Sequence, residues 1–434
     1  MACRPDSANA RPSSKSESSA YYRRSDSPGA SRRKTILNPS ELYRLTRWGI
    51  FKNMDQLTFE QVFTFKHLMA SYKRCRRNVS WKTSVQLFDQ NKGLNIIRLY
   101  KELHSGRYKP RNFHEFDIYD RGKKRHIKSV TVKDRVVQRC LCDYFLVPLL
   151  TPTLIYDNGA SLKNKGYHFA INRFEHHLRS YFGTYHAPGY ILKCDITKYF
   201  ESINHEHLGN SLREMIVDDN LYNLVMAIVK LSGDIGLNIG SQVSQILAVY
   251  ALNDMDHMIK DTFGYKYYGR YQDDFYIFYP NKRVLSNALL NIDLFCSNIG
   301  LQLQPKKTKI IKMRNAEFLK IKWTLLSNGS IVKKPVHSSL IRMRRKLKKL
   351  HRKYSRGDLE LDNIYQSWQS WNAHVLPMNS YRIRTEVRQL FTNLFKEDPY
   401  EIYQANKRRQ SSRRRKRSNL CRMAAAKRYI LSDR

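Results

Sequence analysis

The chain has 434 residues, with 78 Lys and Arg against 37 Asp and Glu, for a formal charge of +41. A field of that sign draws polyanions; with 28 tyrosines beside the cations, nucleic acid is the expected partner, rings for bases and cations for phosphates. A hydrophobic fraction of 41% supports a buried core over about three domains, and no apolar run reaches the roughly 18 residues of a membrane span.

Residues 1–35, rich in Ser, Arg and Pro, are expected to be a disordered basic tail without the apolar stretch of a secretory signal. "NPSELYRL" at 38–45 predicts a helix start with Ser40 as N-cap, and helical periodicity continues to about residue 106. Residues 112–132 read as two strands joined at Arg121-Gly122, with a basic tip that includes Lys123, Lys124 and Arg125. "VKDRVVQRCLCDYFLVPLL" follows with helical spacing, and a further helix is expected over 166–181. "YILKCD" reads as a short strand. Beyond "FESI" come helical sequence to about 232, the loop "SGDIGLNIGS" and a helix through "QVSQILAVYALNDMDHMIKD". A strand–turn–strand, a helix over about 282–299 and mostly helical sequence over 337–395 complete the folded part, before a basic C-terminal tail from 397. Cysteines 3, 75, 140, 142, 194, 296 and 421 lack zinc-site spacing and are expected to be reduced thiols; "NHEHL" at 204–208 is assigned no metal.

"YGRYQDDFYIFYP", residues 268–280, sets Asp273 and Asp274 between strand-forming aromatics. Adjacent carboxylates repel. An isolated pair of this kind is ordinarily a solvated hairpin tip; the alternative is a divalent-metal site, since phosphoryl transfer to a 3'-hydroxyl is helped by two ions held by convergent hard oxygens. Asp195, at the end of "YILKCD", is the third acid available, and by itself reads equally well as a helix N-cap.

Five segments decide between these readings. "LKCDITKYFESI", "GLNIGSQVSQILAVYALNDMDHMIKD", "RYQDDFYIF", "LQLQPKKTKI" and "EFLKIKW" occur in the order of the palm motifs of reverse transcriptases. Upstream, "KKRHIKSVTVKDRVVQRCL" and "GASLKNKGYHFAI" resemble the fingers motifs of the bacterial retroelement branch, which includes group II intron, retron, diversity-generating and phage-defence enzymes. The resemblance spans roughly 90–330. It implies an α+β right-hand polymerase: fingers over 36–185, palm with antiparallel sheet over 186–330 and a helical thumb over 331–396, between disordered basic tails.

The resemblance also implies roles. Asp195, Asp273 and Asp274, assisted by the Ile196 carbonyl, would hold two Mg2+ ions, with Mn2+ as a substitute. Phe200 matches the sugar-gating position that favours dNTPs, and Gln245 and Gly240 lie beside the incoming nucleotide. Arg125, helped by Lys124, matches the triphosphate grip, although "IYD" stands where a second fingers lysine is usual. Lys307, with Lys306 as competitor, matches the lysine that protonates departing pyrophosphate. Asn238, Val243, Lys320 and Gln272 depart from the common pattern, and Ser244-Gln245 resembles diversity-generating and related enzymes.

The implied activity is RNA-directed DNA polymerisation on a specific structured non-coding RNA, in a diversity-generating or phage-defence system. The implied partners are template RNA, a cDNA primer, dNTPs and an accessory protein, with no membrane, in a bacterial cytoplasm. The competing readings are a non-catalytic RNA-binding protein on the same scaffold and an RNA-dependent RNA polymerase.

Overall fold

The structure, a computed structural model, describes residues 56–111, 114–120, 123–406, 408 and 411. The expected helix at 38–45, the 1–35 tail and the last part of the C-terminal tail lie outside them, as does the tip Arg121-Gly122. Among the described residues no helix is long and apolar enough to cross a membrane.

After a single helical turn at Phe59–Val62, three longer helices lead in: α1 (Phe65–Arg76), capped where the Thr64 side chain accepts from the His67 N–H, α2 (Thr83–Gln90) and α3 (Lys92–His104). In α3 the buried side chains Ile96, Leu99 and Leu103 follow helical spacing, which is why this segment docks as a helix. The expected hairpin is present as β1 (His114–Asp120) and β2 (Lys123–Ser129), paired from His114 opposite Ser129 to Asp120 opposite Lys123. α4 (Val132–Leu141) begins where the Thr131 hydroxyl accepts from the Asp134 N–H. Its continuation widens to a π-turn at Cys142–Leu146, just before Pro148 removes a helical donor. α5 (Tyr167–Tyr185) runs past its expected end at 181 and stops at His186, in the left-handed region with φ 50°.

The central sheet is antiparallel. β3 (Tyr190–Asp195), β4 (Tyr268–Tyr271), β5 (Asp274–Tyr279) and β6 (Lys309–Lys312) lie in the order β4-β5-β3-β6. Side chains alternate across it. Leu192, Cys194, Phe275 and Ile277 join the main core with α8 (Gln242–Tyr250) and α10 (Lys282–Asn298). Ile191, Tyr276 and Phe278 face a second core with Phe174 of α5 and Trp323. Burial on both faces explains why "FYIF" is apolar throughout rather than alternating. α6 (His205–Met215) and α7 (Asp219–Lys230) carry the chain between β3 and α8, and α9 (Asn253–His257) between α8 and β4.

A small sheet follows, β7 (Ala316–Phe318), β8 (Ile321–Leu325) and β9 (Ile331–Pro335). Phe318 pairs with Ile321, so Leu319 and Lys320 form the tight turn, with φ 49° and 65°. Such a turn ordinarily prefers Asn or Gly, so Lys320 holds a conformation that glycine adopts freely.

The last unit packs α11 (His337–Tyr354), α12 (Leu361–Val375) and α13 (Tyr381–Phe395) around Leu347, Trp368 and Phe391. It continues past the expected boundary at 396: residues 401–406 are helical, and Tyr400 and Ile402 pack against the same core. The architecture is α+β, as the sequence implied. Cys75, Cys140, Cys142, Cys194 and Cys296 are free thiols, and His205 bonds the Gly236 carbonyl at 2.6 Å.

Candidate active site

β3 and β5 place Asp195 directly opposite Asp274. Residues so paired have Cβ atoms about 5 Å apart, close enough to share one cation. Asp273 stands one residue before, in the two-residue turn closed by Tyr271 opposite Asp274, where Gln272 takes φ 58°. All three acids of the sequence reading therefore lie at the same end of the central sheet.

Like charges directly opposite are destabilising, and their surroundings register that. Lys307 Nζ donates to both carboxylate oxygens of Asp195, 2.7 Å each. Lys193 Nζ lies 3.5 Å from Asp274 Oδ1. Burial pushes the Asp274 carboxyl up to about 6, with Lys193 opposing and Asp195 and Asp273 adding to the rise. Burial, then the Asp195 charge, also raises Asp273, against a backbone hydrogen bond, Lys307 and Arg270.

Among the described residues, no three acidic, His or Cys side chains are drawn together as a ready-made metal cage. Lysines lie against two of the three carboxylates, Lys307 on Asp195 and Lys193 near Asp274. The donors still fit a divalent ion: they are hard oxygens, and Asp274 Oδ1 is buried with only the Lys193 Nζ, at 3.5 Å, beside it.

Lys307 reaches Asp195 through the backbone. Gln304 N–H donates to the Asp195 carbonyl at 2.7 Å, Thr197 N–H donates to the Gln302 carbonyl, and a turn from Gln304 to Thr308 presents the lysine. Ile196 is buried between them, bridged to Leu303. Lys306 is exposed and makes no such contact with Asp195.

Phe200, partly buried, sits on the turn Tyr199–Ser202, and its carbonyl accepts from Leu237 N–H. Gln245 is exposed on the first turns of α8. That helix starts at Ser241, whose hydroxyl donates to Gln138 Oε1 of α4 at 3.0 Å. Gly240 has φ 108°, and an added Cβ would come no nearer than 3.8 Å, to the Lys128 carbonyl. The positive φ favours glycine there. Lys124 pairs across the hairpin with Asp117 at 2.9 Å and is exposed; the Arg125 side chain is outside the described part.

Sequence reading missed the support beneath the acids. Arg270 and Asp256 form a fully buried ion pair: Nε donates to Oδ1 at 2.8 Å and Nη2 to Oδ2 at 2.5 Å. The Tyr268 hydroxyl also donates to Asp256 Oδ1. Arg270 then reaches the Val249 carbonyl of α8 at 2.9 Å and the Gln272 carbonyl at 3.1 Å. One guanidinium thus ties the turn before Asp273 to the helix that carries Gln245. From the other side, Gln272 Nε2 donates to Ser161 Oγ at 2.7 Å, and Gly159 N–H donates to the Arg270 carbonyl. In a chain with 78 Lys and Arg, Arg270 reads as one more cation. The available signal was its two-residue spacing from Tyr268, which puts both on one face of β4.

A cleft of about 1480 Å3 is lined by Lys193 and Asp274 of this sheet, by Tyr119 of β1 and by Arg342, Lys346, Lys349 and Trp371 of α11 and α12.

Residues 111–323 match the family model described as reverse transcriptase (RNA-dependent DNA polymerase), just under half of the chain. The chain carries a reverse transcriptase domain. Such a domain is that of an RNA-directed DNA polymerase, a nucleotidyltransferase, and domains of this family use divalent metal ions. The reverse transcriptase domain contains every acid of the site, Lys307, and the Arg270–Asp256 pair. Among the solved structures that resemble the chain are two with a TM-score of 0.42 and 12% identity. Apo telomerase from Candida tropicalis, truncated from its C-terminal domain, covers 51% of this chain and 55% of its own. Telomerase from Candida albicans in complex with a TWJ fragment of telomeric RNA covers 67% of this chain and 61% of its own. The chain thus spans less than two thirds of either one's length. No curated protein matches it in sequence.

Proposed function

We propose that this protein is a reverse transcriptase that extends a DNA primer on an RNA template. The observation that carries the reading is the pairing of Asp195 opposite Asp274, with Asp273 at the adjoining turn, inside the reverse transcriptase domain. Asp195, Asp273 and Asp274, with the Ile196 carbonyl, would hold Mg2+, or Mn2+ in its place. Two bound ions would stabilise the attacking and leaving oxygens of the phosphoryl transfer. Lys307, whose Nζ donates to Asp195, would give a proton to departing pyrophosphate. Phe200 would lie against the deoxyribose, and Gln245 and Gly240 beside the nucleotide. Lys124 and Arg125 would grip the triphosphate.

In this reading the fingers cover 36–185, the palm 186–330 and the thumb 331–396 with its continuation to 406. The large cleft between palm and thumb is the primer–template channel. The Ser244-Gln245 form supports a diversity-generating or phage-defence enzyme of a bacterial cytoplasm, working on a structured non-coding RNA with an accessory protein. Sequencing the cDNA separates the two systems: mutated copies of a repeat beside a variable gene favour the first.

The deciding experiment is Asp273→Asn. It should abolish Mg2+-dependent dNTP incorporation on a primed RNA template while leaving RNA binding nearly intact; undiminished synthesis would refute the assignment. Offering NTPs against dNTPs tests the sugar gate, with Phe200→Ala expected to relax the preference for dNTPs.

A further inference from the structure

Away from the catalytic cleft, three segments converge on a second, open hollow of about 680 Å3. It is lined by Arg98 and Lys101 of α3, by Arg107, Lys109 and Arg111 of the following loop, and by Lys133 in the first turn of α4. None of these residues lines the large cleft. Glu102 is the sole acid on its wall, and it is already paired with Lys133. The other five cations have no carboxylate partner among the described residues. Like charges gathered in a concavity repel, and an anion offsets that repulsion.

The hollow is built rather than incidental. The loop folds back so that Tyr108 N–H donates to the Glu102 carbonyl at 3.0 Å, with Gly106 at φ 67° making the turn. Tyr108 anchors it: its hydroxyl donates to Asp134 Oδ1 at 2.7 Å, and Lys133 Nζ lies 5.8 Å from its ring centroid. Arg107 Nε is steadied by Ser105 Oγ at 2.9 Å. The cations are therefore held on a fixed backbone.

What the hollow lacks identifies its ligand. Pro110 is its one apolar lining residue, and no aromatic ring lines it. It offers no ring on which a base would stack, and beyond Pro110 its apolar surface is that of charged side-chain stems rather than of a face for a lipid. Phosphates alone match it, read through charge and without sequence preference. Its openness suits a strand that passes through rather than an enclosed nucleotide.

We propose that this groove is a phosphate-binding track for the RNA strand outside the catalytic cleft, on the α3–α4 side of the reverse transcriptase domain. The proposal rests on the polymerase reading, since the template is the polyanion such an enzyme must hold as it moves. The groove adds grip on the template rather than chemistry.

The test compares the full-length protein with a variant carrying Arg98→Ala, Lys101→Ala and Lys109→Ala. A control of equal charge change carries Lys230→Ala, Lys282→Ala and Arg283→Ala, all exposed elsewhere. Filter binding of poly(rA) across a salt series gives the slope of log affinity against log salt. Losing three phosphate contacts should flatten that slope by about two and weaken low-salt binding on the order of tenfold. On oligo(dT)-primed poly(rA), the template KM should rise far more than kcat falls. The control should change neither slope nor KM to that extent. A groove variant matching wild type, or matching the control, overturns the proposal. If no variant makes DNA, the polymerase reading fails, while poly(rA) binding still decides the groove.

Discussion

Asp195 and Asp256 each meet a single strong cation, but the two pairs are built differently. Arg270 and Asp256 are both 0% exposed, bound through a two-point fork and locked further by Tyr268 and two backbone carbonyls. Lys307, on Asp195, is 55% exposed and reaches over from a turn. The buried pair has no exchange partner and acts as a permanent brace. The open pair is a counter-ion that another cation can replace. The acids thus stand on a fully buried support while the cation on Asp195 stays open to solvent, as the proposed ion site requires.

Breaking the brace should have the largest effect. Asp256→Asn strands a buried guanidinium and should cost about 3–5 kcal/mol, read as a fall in Tm or in the denaturant midpoint. Replacing both partners, Arg270→Met with Asp256→Leu, should recover much of that stability yet leave incorporation weak, because the Gln272 carbonyl loses its donor. Recovery of activity along with stability would show that the brace is structural only.

Lys307→Ala sharpens the other half of the comparison. It should tighten divalent-ion binding, by removing a competitor for Asp195, while slowing incorporation by roughly a hundredfold or more if its proton is used. Titrating activity against Mg2+ at saturating dNTP separates the two effects. Weaker ion binding would contradict the exchange model.

The pH dependence comes next. The Asp274 carboxyl sits at about 6 in the folded, ion-free protein, above its unfolded value near 4. Its contribution to stability is therefore present below about pH 4 and is lost as pH rises through 6. A divalent ion favours the charged form, so the Tm gained on adding Mg2+ should be larger at pH 7 than at pH 5. An equal gain at both would remove Asp274 from the ion site.

The smallest effect belongs to Ser161→Ala, which frees Gln272 Nε2 at the price of about 1 kcal/mol. Nucleotide misincorporation, measured on a defined template, should change more than overall rate.

Much of this was legible beforehand where the signal is local. The basic hairpin after residue 112, the aromatic strands around the acidic pair and the long helices from 337 all follow from period-two or helical spacing. The acids were legible as candidates because five motifs appear in order. Lys307 could not be told from Lys306, since only the Gln304–Thr308 turn decides which of two adjacent lysines faces Asp195. The end of the last helical unit was also set too early, because Tyr400 and Ile402 join its core through contacts that spacing does not reveal.

By itself, the sequence determined the strongly basic character of this protein, its succession of elements and the types of side chain available for chemistry. These depend on composition and on neighbours a few residues apart. Only the tertiary structure decided that residues 195 and 274 face each other, that Arg270 is buried on Asp256, and that five unpaired cations share one groove. Those outcomes depend on which distant segments pack together, and burial then changes what each charge costs.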